Sequence, residues 1–352
     1  MRVLFLVLDG VSPRHVDRTV MPILHDLAST GGWWPEGAVG VMPTSTYPNH
    51  ATFVTGVAPD RHGIVANEIP TGAGPVPSWE RGPRSATLFD AARAGGRRSA
   101  AVFGDHHLVG VTGAARADRV WPDDGFAPDV DLDVLGYAKD RETTARVVEA
   151  IDGEADLIVV QLNETDTAAH IFGPDAPEAL DRYGRADARL GVILDRLRSE
   201  WDQWVVIVVS DHSQESVTDP DPIDLRAAAG RLGLAGVVAD DGAVAVVAGA
   251  MAGPSPWMET VPGVEGTMRI DDHTVLAWSS PGRWFSSVAW PVRGVHGSPR
   301  TAPQVAVVAG GHPGAAHLVA GFGADRPHST AWAPAIAGLL GITVPADLPV
   351  PI

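Results

Sequence analysis

Short unbroken apolar runs alternate along the chain with stretches whose apolar positions recur every three to four residues. The runs at Val3–Leu8, Ala100–Phe103, Leu157–Gln161, Val205–Val209 and Val305–Val308 are apolar at nearly every position. That is the pattern of strands buried on both faces. Helical spacing predicts helices over Met21–Ala28, Pro48–Thr55, Ala86–Ala94, Thr143–Ile151, Glu178–Ser199 and Thr330–Leu340. The alternation predicts an α/β fold, with a mostly parallel central sheet and helices on both faces. "TGAGPVPSWERGPR" (Thr71–Arg84) and "VWPDDGFAPDVD" (Val120–Asp131) read as surface loops.

From Ser213 to Trp290 the pattern changes. Gly, Pro and Trp are frequent, and the apolar runs Ala243–Val247 and Val275–Trp278 are short. This predicts a small α+β insert, residues 213–290, capping one edge of a core built from residues 1–212 and 291–352. Trp257, Trp278, Trp284 and Trp290 fit the core of a small subdomain better than a stacking surface. A length of 352 residues suits one large α/β domain carrying such an insertion.

Composition narrows the chemistry. Cysteine is absent, so a thiolate metal site, a disulfide framework and a cysteine nucleophile are excluded. A formal net charge of −17 argues against a nucleic-acid polymer or an anionic membrane as partner. A small anionic substrate remains compatible if cations gather locally. The opening "MRVLFLVLDG" meets Asp9 too soon for an export signal, and no apolar run approaches the ~20 residues of a membrane span. A cytoplasmic protein is expected.

Acids and histidines follow three of the predicted strands and precede a fourth. Asp9 ends the first, and "NETDTAAH" after the third carries Asp166 and His170. Ser210-Asp211-His212 ends the fourth, and "VHG" with His296 precedes the last. Open α/β sheets bind ligands at the carboxyl ends of their strands, and Asp and neutral His hold divalent metals. In "TSTYPNHATFVTG", Pro48 at the first helical position would leave Thr46 at a helix start, where backbone N–H groups lack partners.

Each fragment has an ordinary reading as a turn or helix cap; together and in this order they point to chemistry. His50 and His62 are read as supports for the turns of the segment that begins at Thr46. His106 and His107 are given only a minor chance of reaching the rim of the site. His328 competes with His296 but fits the entrance of the last helix better.

The ordered set resembles the alkaline phosphatase superfamily, specifically its type I phosphodiesterase/nucleotide pyrophosphatase branch. The resemblance runs from "VLDG" (Val7–Gly10) to "APAIAGLLGI" (Ala333–Ile342) and is most specific in "TYPNHATFVTGVAPDRHGIVAN" (Thr46–Asn67). It implies an alkaline phosphatase-like fold and two divalent metal ions, with zinc favoured. Asp9, Thr46, Asp211 and His212 would hold one ion; Asp166, His170 and His296 would hold the other. Thr46 would be the nucleophile, forming a phosphothreonine. Asn67 and the Tyr47 N–H would bind a non-bridging phosphoryl oxygen.

The sequence departs from the branch at Ser45 and Tyr47 (usually Lys and Phe), at Ala169 (often Gly), at Ser213-Gln214 (often Gly-Met) and at Ser298-Pro299 (usually Tyr-Asp). These border the pocket and bear on the substrate. The expected function is a two-metal hydrolase of small phosphodiesters or nucleotide-pyrophosphate-like esters. Phosphonoacetate hydrolysis, disfavoured by the scarcity of lysine, and phosphomonoester hydrolysis are the alternatives within the superfamily. A silent metal- or ligand-binding protein is the alternative from another class.

Overall fold

The structure is a computed structural model that describes residues 1–71, 74–252, 256–288 and 291–343; Trp290 lies outside these. In chain order its principal strands are β1 (Arg2–Leu8), β2 (Gly32–Trp33), β3 (Ser99–Phe103), β4 (Arg119–Trp121), β5 (Leu157–Leu162) and β6 (Trp204–Val209). Then follow β7 (Val237–Asp241), β8 (Val244–Ala248), β9 (Val264–Asp271), β10 (Thr274–Ser279) and β11 (Ala306–Ala309). The principal helices are α1 (Pro22–Thr30), α2 (Thr46–Thr55), α3 (Leu88–Ala94), α4 (Asp140–Asp152), α5 (Glu164–Phe172), α6 (Pro177–Leu197), α7 (Leu225–Arg231), α8 (Pro313–Phe322) and α9 (Trp332–Leu340).

The main sheet has the order β2-β11-β6-β1-β5-β3-β4. β1 lies parallel between β5 and β6, and β3 is parallel to both β5 and β4. β11 runs antiparallel to β6 and β2, so the sheet is mostly parallel, as the alternating pattern predicts. All residues of β1, β5 and β6 are buried, because helices cover both faces and each alternate side chain finds a core. Val3, Phe5 and Val7 pack with Phe53, Trp332 and Ile336 of α2 and α9. Leu4, Leu6 and Leu8 pack on the other face with Leu24, Tyr183, Leu190 and Ile193 of α1 and α6. Each such side chain contributes roughly 1.5–3 kcal/mol by leaving water.

Several expectations change in detail. α2 begins at Thr46 rather than at Pro48, with Ser45 as the N-cap residue. Proline is tolerated there because the first four helical N–H groups have no intrahelical partner. α5 occupies the segment read only for its acids and histidine, and α8 ("PGAAHLVAGF") is an unforeseen helix. Its flanking and internal glycines masked it; Pro313 and the His312 ring, which accepts a hydrogen bond from the Gly314 N–H at 3.0 Å, start it. The expected loop Thr71–Arg84 contains a strand, Gly74–Pro77, paired with Glu68–Thr71, and a helical turn, Ser78–Arg81. The other expected loop opens within β4.

Between β6 and β11, strands β7 to β10 form a separate antiparallel sheet in the order β7-β8-β10-β9. Ile223, Leu225, Val247, Trp257 and Phe285 supply its core. A short antiparallel pair, Glu215–Ser216 with Gly294–Val295, joins the two crossings between the sheets. Among the described residues no helix is long and apolar enough to cross a membrane.

Candidate active site and metal centre

The carboxyl ends of β1, β5 and β6 lie side by side, so the residues that follow them meet. Asp9, Asp211 and His212 each present a ligand atom within 4.8 Å of the others, and so do Asp166, His212 and His296. The His212 Nε2 atom lies 3.5 Å from Asp9 Oδ1, 3.4 Å from Asp211 Oδ2 and 3.1 Å from Thr46 Oγ1. His170 stands one helical turn after Asp166 on α5, with its Nε2 3.3 Å from Asp166 Oδ2. The rings of His212 and His296 stack at 3.8 Å, and His170 meets His296 edge-on at 5.1 Å. All seven candidate ligands are therefore drawn into one cluster. His328 instead sits before α9, its ring against Thr330 Oγ1 at 3.0 Å.

The surroundings aim these groups. The Nδ1–H of His212 donates to the Ser213 carbonyl (3.1 Å) and that of His170 to the Gly294 carbonyl (2.8 Å). Each bond leaves the Nε2 lone pair pointing into the cluster. Gln161 donates to Asp9 Oδ2 at 2.6 Å, and the backbone N–H groups of Gly10 and His212 donate to Asp211 Oδ1 at 3.1 Å. Gln214, one of the departures from the family pattern, donates its amide to Asp166 Oδ1. Gly10 has φ +69°, and a Cβ there would lie 2.9 Å from Asp166 Oδ1, so "DG" after β1 is required by both backbone and space.

Two carboxylate oxygens remain over. Asp9 Oδ1 and Asp211 Oδ2 are buried and have no hydrogen-bond partner, although an unsatisfied buried carboxylate costs several kcal/mol. Burial and the nearby Asp211 charge push the Asp9 carboxyl well above its ordinary range. Burial, then His212, push the His296 ring well below its own. For Asp166, burial acts to raise the carboxyl, but His170 outweighs it and holds the group low. Like charges packed in a dry cluster with spare lone pairs are the donor set of a cation, and Asp and neutral His suit a divalent metal. The residues present fit such a group.

Thr46, the first residue of α2, is partly exposed to a cavity of about 300 Å³, which Tyr47, Asn67, Asp166, His170 and His296 also line. Thr44 and Ser45 are fully buried; Thr44 is tied by its hydroxyl to the Ser298 carbonyl at 2.7 Å. Of the three neighbouring hydroxyls, Thr46 alone opens to the cavity. His50 donates its Nδ1–H to the Thr46 carbonyl (2.9 Å), and His62 bonds Thr52 Oγ1 (2.9 Å). Burial drives the His62 pKa down to about 3.

Tyr47 donates its hydroxyl to Asp105 at 2.9 Å and lies 3.1 Å from His107 Nδ1. Asp105 and Tyr47 line the cavity, whereas His106 and His107 stand behind them. Sequence reasoning did not single out Asp105, Tyr137, Asn163, Asp240 or Asp241, all of which line the cavity. For Asp240 and Asp241 a signal exists: "VVADDGAVAVV" places Asp-Gly between two apolar runs, a hairpin signature. Trp284 and Phe285 also face the cavity, while Trp257 packs inside the smaller sheet's core.

The family described as type I phosphodiesterase/nucleotide pyrophosphatase matches residues 3–257. A pyrophosphatase/phosphodiesterase of Schizosaccharomyces pombe, described as uncharacterized, is 28% identical over 229 residues, covering 62% of this chain and 45% of that protein. Human ectonucleotide pyrophosphatase/phosphodiesterase family member 1 is 24% identical over 231 residues, covering 60% of this chain and 23% of that protein. The chain thus spans less than half the length of these curated relatives. Among solved structures, murine ectonucleotide pyrophosphatase/phosphodiesterase 5, an inactive threonine-to-alanine variant in complex with AMP, superposes with a TM-score of 0.71 at 17% identity, covering 98% of this chain and 96% of that one. Phosphonoacetate hydrolase of Sinorhizobium meliloti in complex with phosphonoacetate superposes with a TM-score of 0.69 at 17% identity, covering 96% and 95%. These two likenesses establish the fold. The chain belongs to the type I phosphodiesterase/nucleotide pyrophosphatase family.

Proposed function

We propose that the protein is a two-metal phosphohydrolase that cleaves small phosphodiesters or nucleotide-pyrophosphate-like esters through Thr46. The observation that carries this reading is the cavity-facing Thr46 hydroxyl at the start of α2, 3.1 Å from a histidine nitrogen within a cluster of metal-competent side chains. Asp9, Thr46, Asp211 and His212 would hold one ion, and Asp166, His170 and His296 the other. Zinc is favoured by the nitrogen-and-carboxylate donor set. When bound, the ions would neutralise charge on the phosphoryl group and lower the pKa of coordinated hydroxyls.

The protein's own groups do the rest. Thr46 Oγ gives up its proton and forms a bond to phosphorus as the bond to the leaving oxygen breaks, giving a phosphothreonine and a leaving oxygen that takes up a proton. Water then cleaves the threonine–phosphate bond and Thr46 recovers its proton. The Tyr47 N–H at the start of α2 favours negative charge on the phosphoryl oxygens. Asn67, exposed at the cavity mouth, donates its side-chain amide to a non-bridging oxygen. That the murine neighbour is inactive as a threonine-to-alanine variant yet holds AMP supports this assignment. Residues 213–290 serve as a cap, contributing Asp240, Asp241, Trp284 and Phe285 to the cavity wall. A carboxylated phosphonate is the weaker reading, because no lysine or arginine is among the described residues that line the cavity.

The ratio of kcat/KM for a bis-aryl phosphodiester to that for the matching aryl monoester tests the substrate class. A ratio far above one is expected; a ratio far below one would make the protein a monoesterase.

A further inference from the structure

We infer that Asp241 sets the charge of the substrate, admitting a singly charged phosphodiester and turning away a doubly charged phosphomonoester. The inference rests on the phosphoester reading above and adds a specificity-determining residue from the smaller sheet.

Asp241 ends β7 at the tip of the β7–β8 hairpin. Gly242 follows with φ +66°, and a Cβ there would lie 2.8 Å from the His296 carbonyl. The tip is held in place because the Ala243 N–H donates to that carbonyl at 2.7 Å, and the Phe285 N–H donates to the Gly242 carbonyl at 2.8 Å. The Asp241 side chain is thus fixed against the cluster rather than hung from a loose loop. It is only 6% exposed, and it lines the same cavity as Thr46.

Its oxygens are the informative part. Oδ1 accepts from the Asn67 amide at 3.3 Å, while Oδ2 is buried without a hydrogen-bond partner. The neighbouring acids are already engaged: Asp240 pairs with Arg226 at 3.0 Å, and Asp105 accepts from the Tyr47 hydroxyl and the His107 N–H, both at 2.9 Å. Among the described lining residues no lysine or arginine offsets Asp241; burial pushes its carboxyl up, and the Ser45 hydroxyl, His212 and His170 act in the other direction, favouring the charged form. Its carboxylate therefore sits beside Asn67, the group assigned to a non-bridging phosphoryl oxygen. A diester presents a neutral substituted oxygen where a monoester presents a second charged one. In a site of low dielectric, that extra charge beside a fixed carboxylate is repelled strongly.

The test compares phenyl phosphate with methyl phenyl phosphate, a dianion and a monoanion that differ by one methyl group. Their binding is measured by calorimetry at alkaline pH, on metal-loaded Thr46→Ala protein with and without Asp241→Asn. Asp241→Asn should tighten phenyl phosphate by about tenfold or more and leave methyl phenyl phosphate within about threefold. On the Thr46 protein, the diester-to-monoester ratio of kcat/KM should fall by a similar factor. Asp241→Ser, which also removes the charge, should behave alike and guards against a folding defect of one variant. Equal shifts for the two ligands, the signature of a residue that merely orients Asn67, would overturn the inference, as would no shift at all. Failure of the diesterase reading would look different: no turnover of either compound by the unaltered protein, with the binding comparison still deciding the role of Asp241.

Discussion

Thr46→Ala should lower kcat/KM for a bis-aryl phosphodiester by at least about a thousandfold, the order of loss seen when a nucleophile acting within a catalytic unit is removed. Stability should fall only modestly, by about 1 kcal/mol: Thr46 is only partly buried, but its hydroxyl is the hydrogen-bond partner of the buried His212 Nε2. Thr46→Ser, which keeps the hydroxyl, should retain a substantial share of the rate. The neighbours form the control. Thr44→Ala removes a fully buried hydroxyl bonded to the Ser298 carbonyl and to Thr301. That change should cost about 1–2 kcal/mol of stability, measured by denaturant unfolding, while the covalent step survives. A Thr46→Ala protein as active as its parent would remove threonine from the mechanism.

Adding zinc to chelator-stripped protein should bind two ions per chain, as read by elemental analysis. It should also raise the unfolding free energy by about 4 kcal/mol when free metal stands ~1,000-fold above its dissociation constant. Asp9 and Asp211 make this expectation sharp, because their spare oxygens lie buried within a few ångströms of one nitrogen. Asp9→Asn removes one negative charge but keeps an acceptor for Gln161, so the stripped variant should be as stable as its parent or more so. The same variant should lose most of the gain on adding zinc. His296→Ala should remove one ion and leave the Asp9–Asp211–His212 group able to bind the other. Undiminished stoichiometry in His296→Ala would hand its place to another residue.

How far the site could be read from the chain depends on where each residue stands. Asp9, Asp211 and His212 were legible because they directly follow apolar runs, and a buried parallel strand leaves little choice about where its carboxyl end points. Asp166 and His170 were legible as a pair but not as a helix, since "NETDTAAH" is too polar and short to show periodicity. Thr46 was found through Pro48, although the helix begins two residues earlier than that proline suggested. Asp241 was not legible. Its place in the site depends on a hairpin of the smaller sheet, folded back so that Gly242 meets the His296 carbonyl, and no local pattern encodes that return. Tyr47 illustrates the middle case. Its departure from phenylalanine was visible, but the partner of its hydroxyl, Asp105, lies on the loop after β3.

The central claim is a covalent intermediate on Thr46, and the stereochemical course at phosphorus tests it most directly. A phosphodiester substrate made chiral by sulfur and isotopic oxygen is hydrolysed and the product configuration determined. Two successive in-line displacements, first by Thr46 and then by water, predict net retention. Net inversion would mean that water attacks the ester directly and would contradict the account.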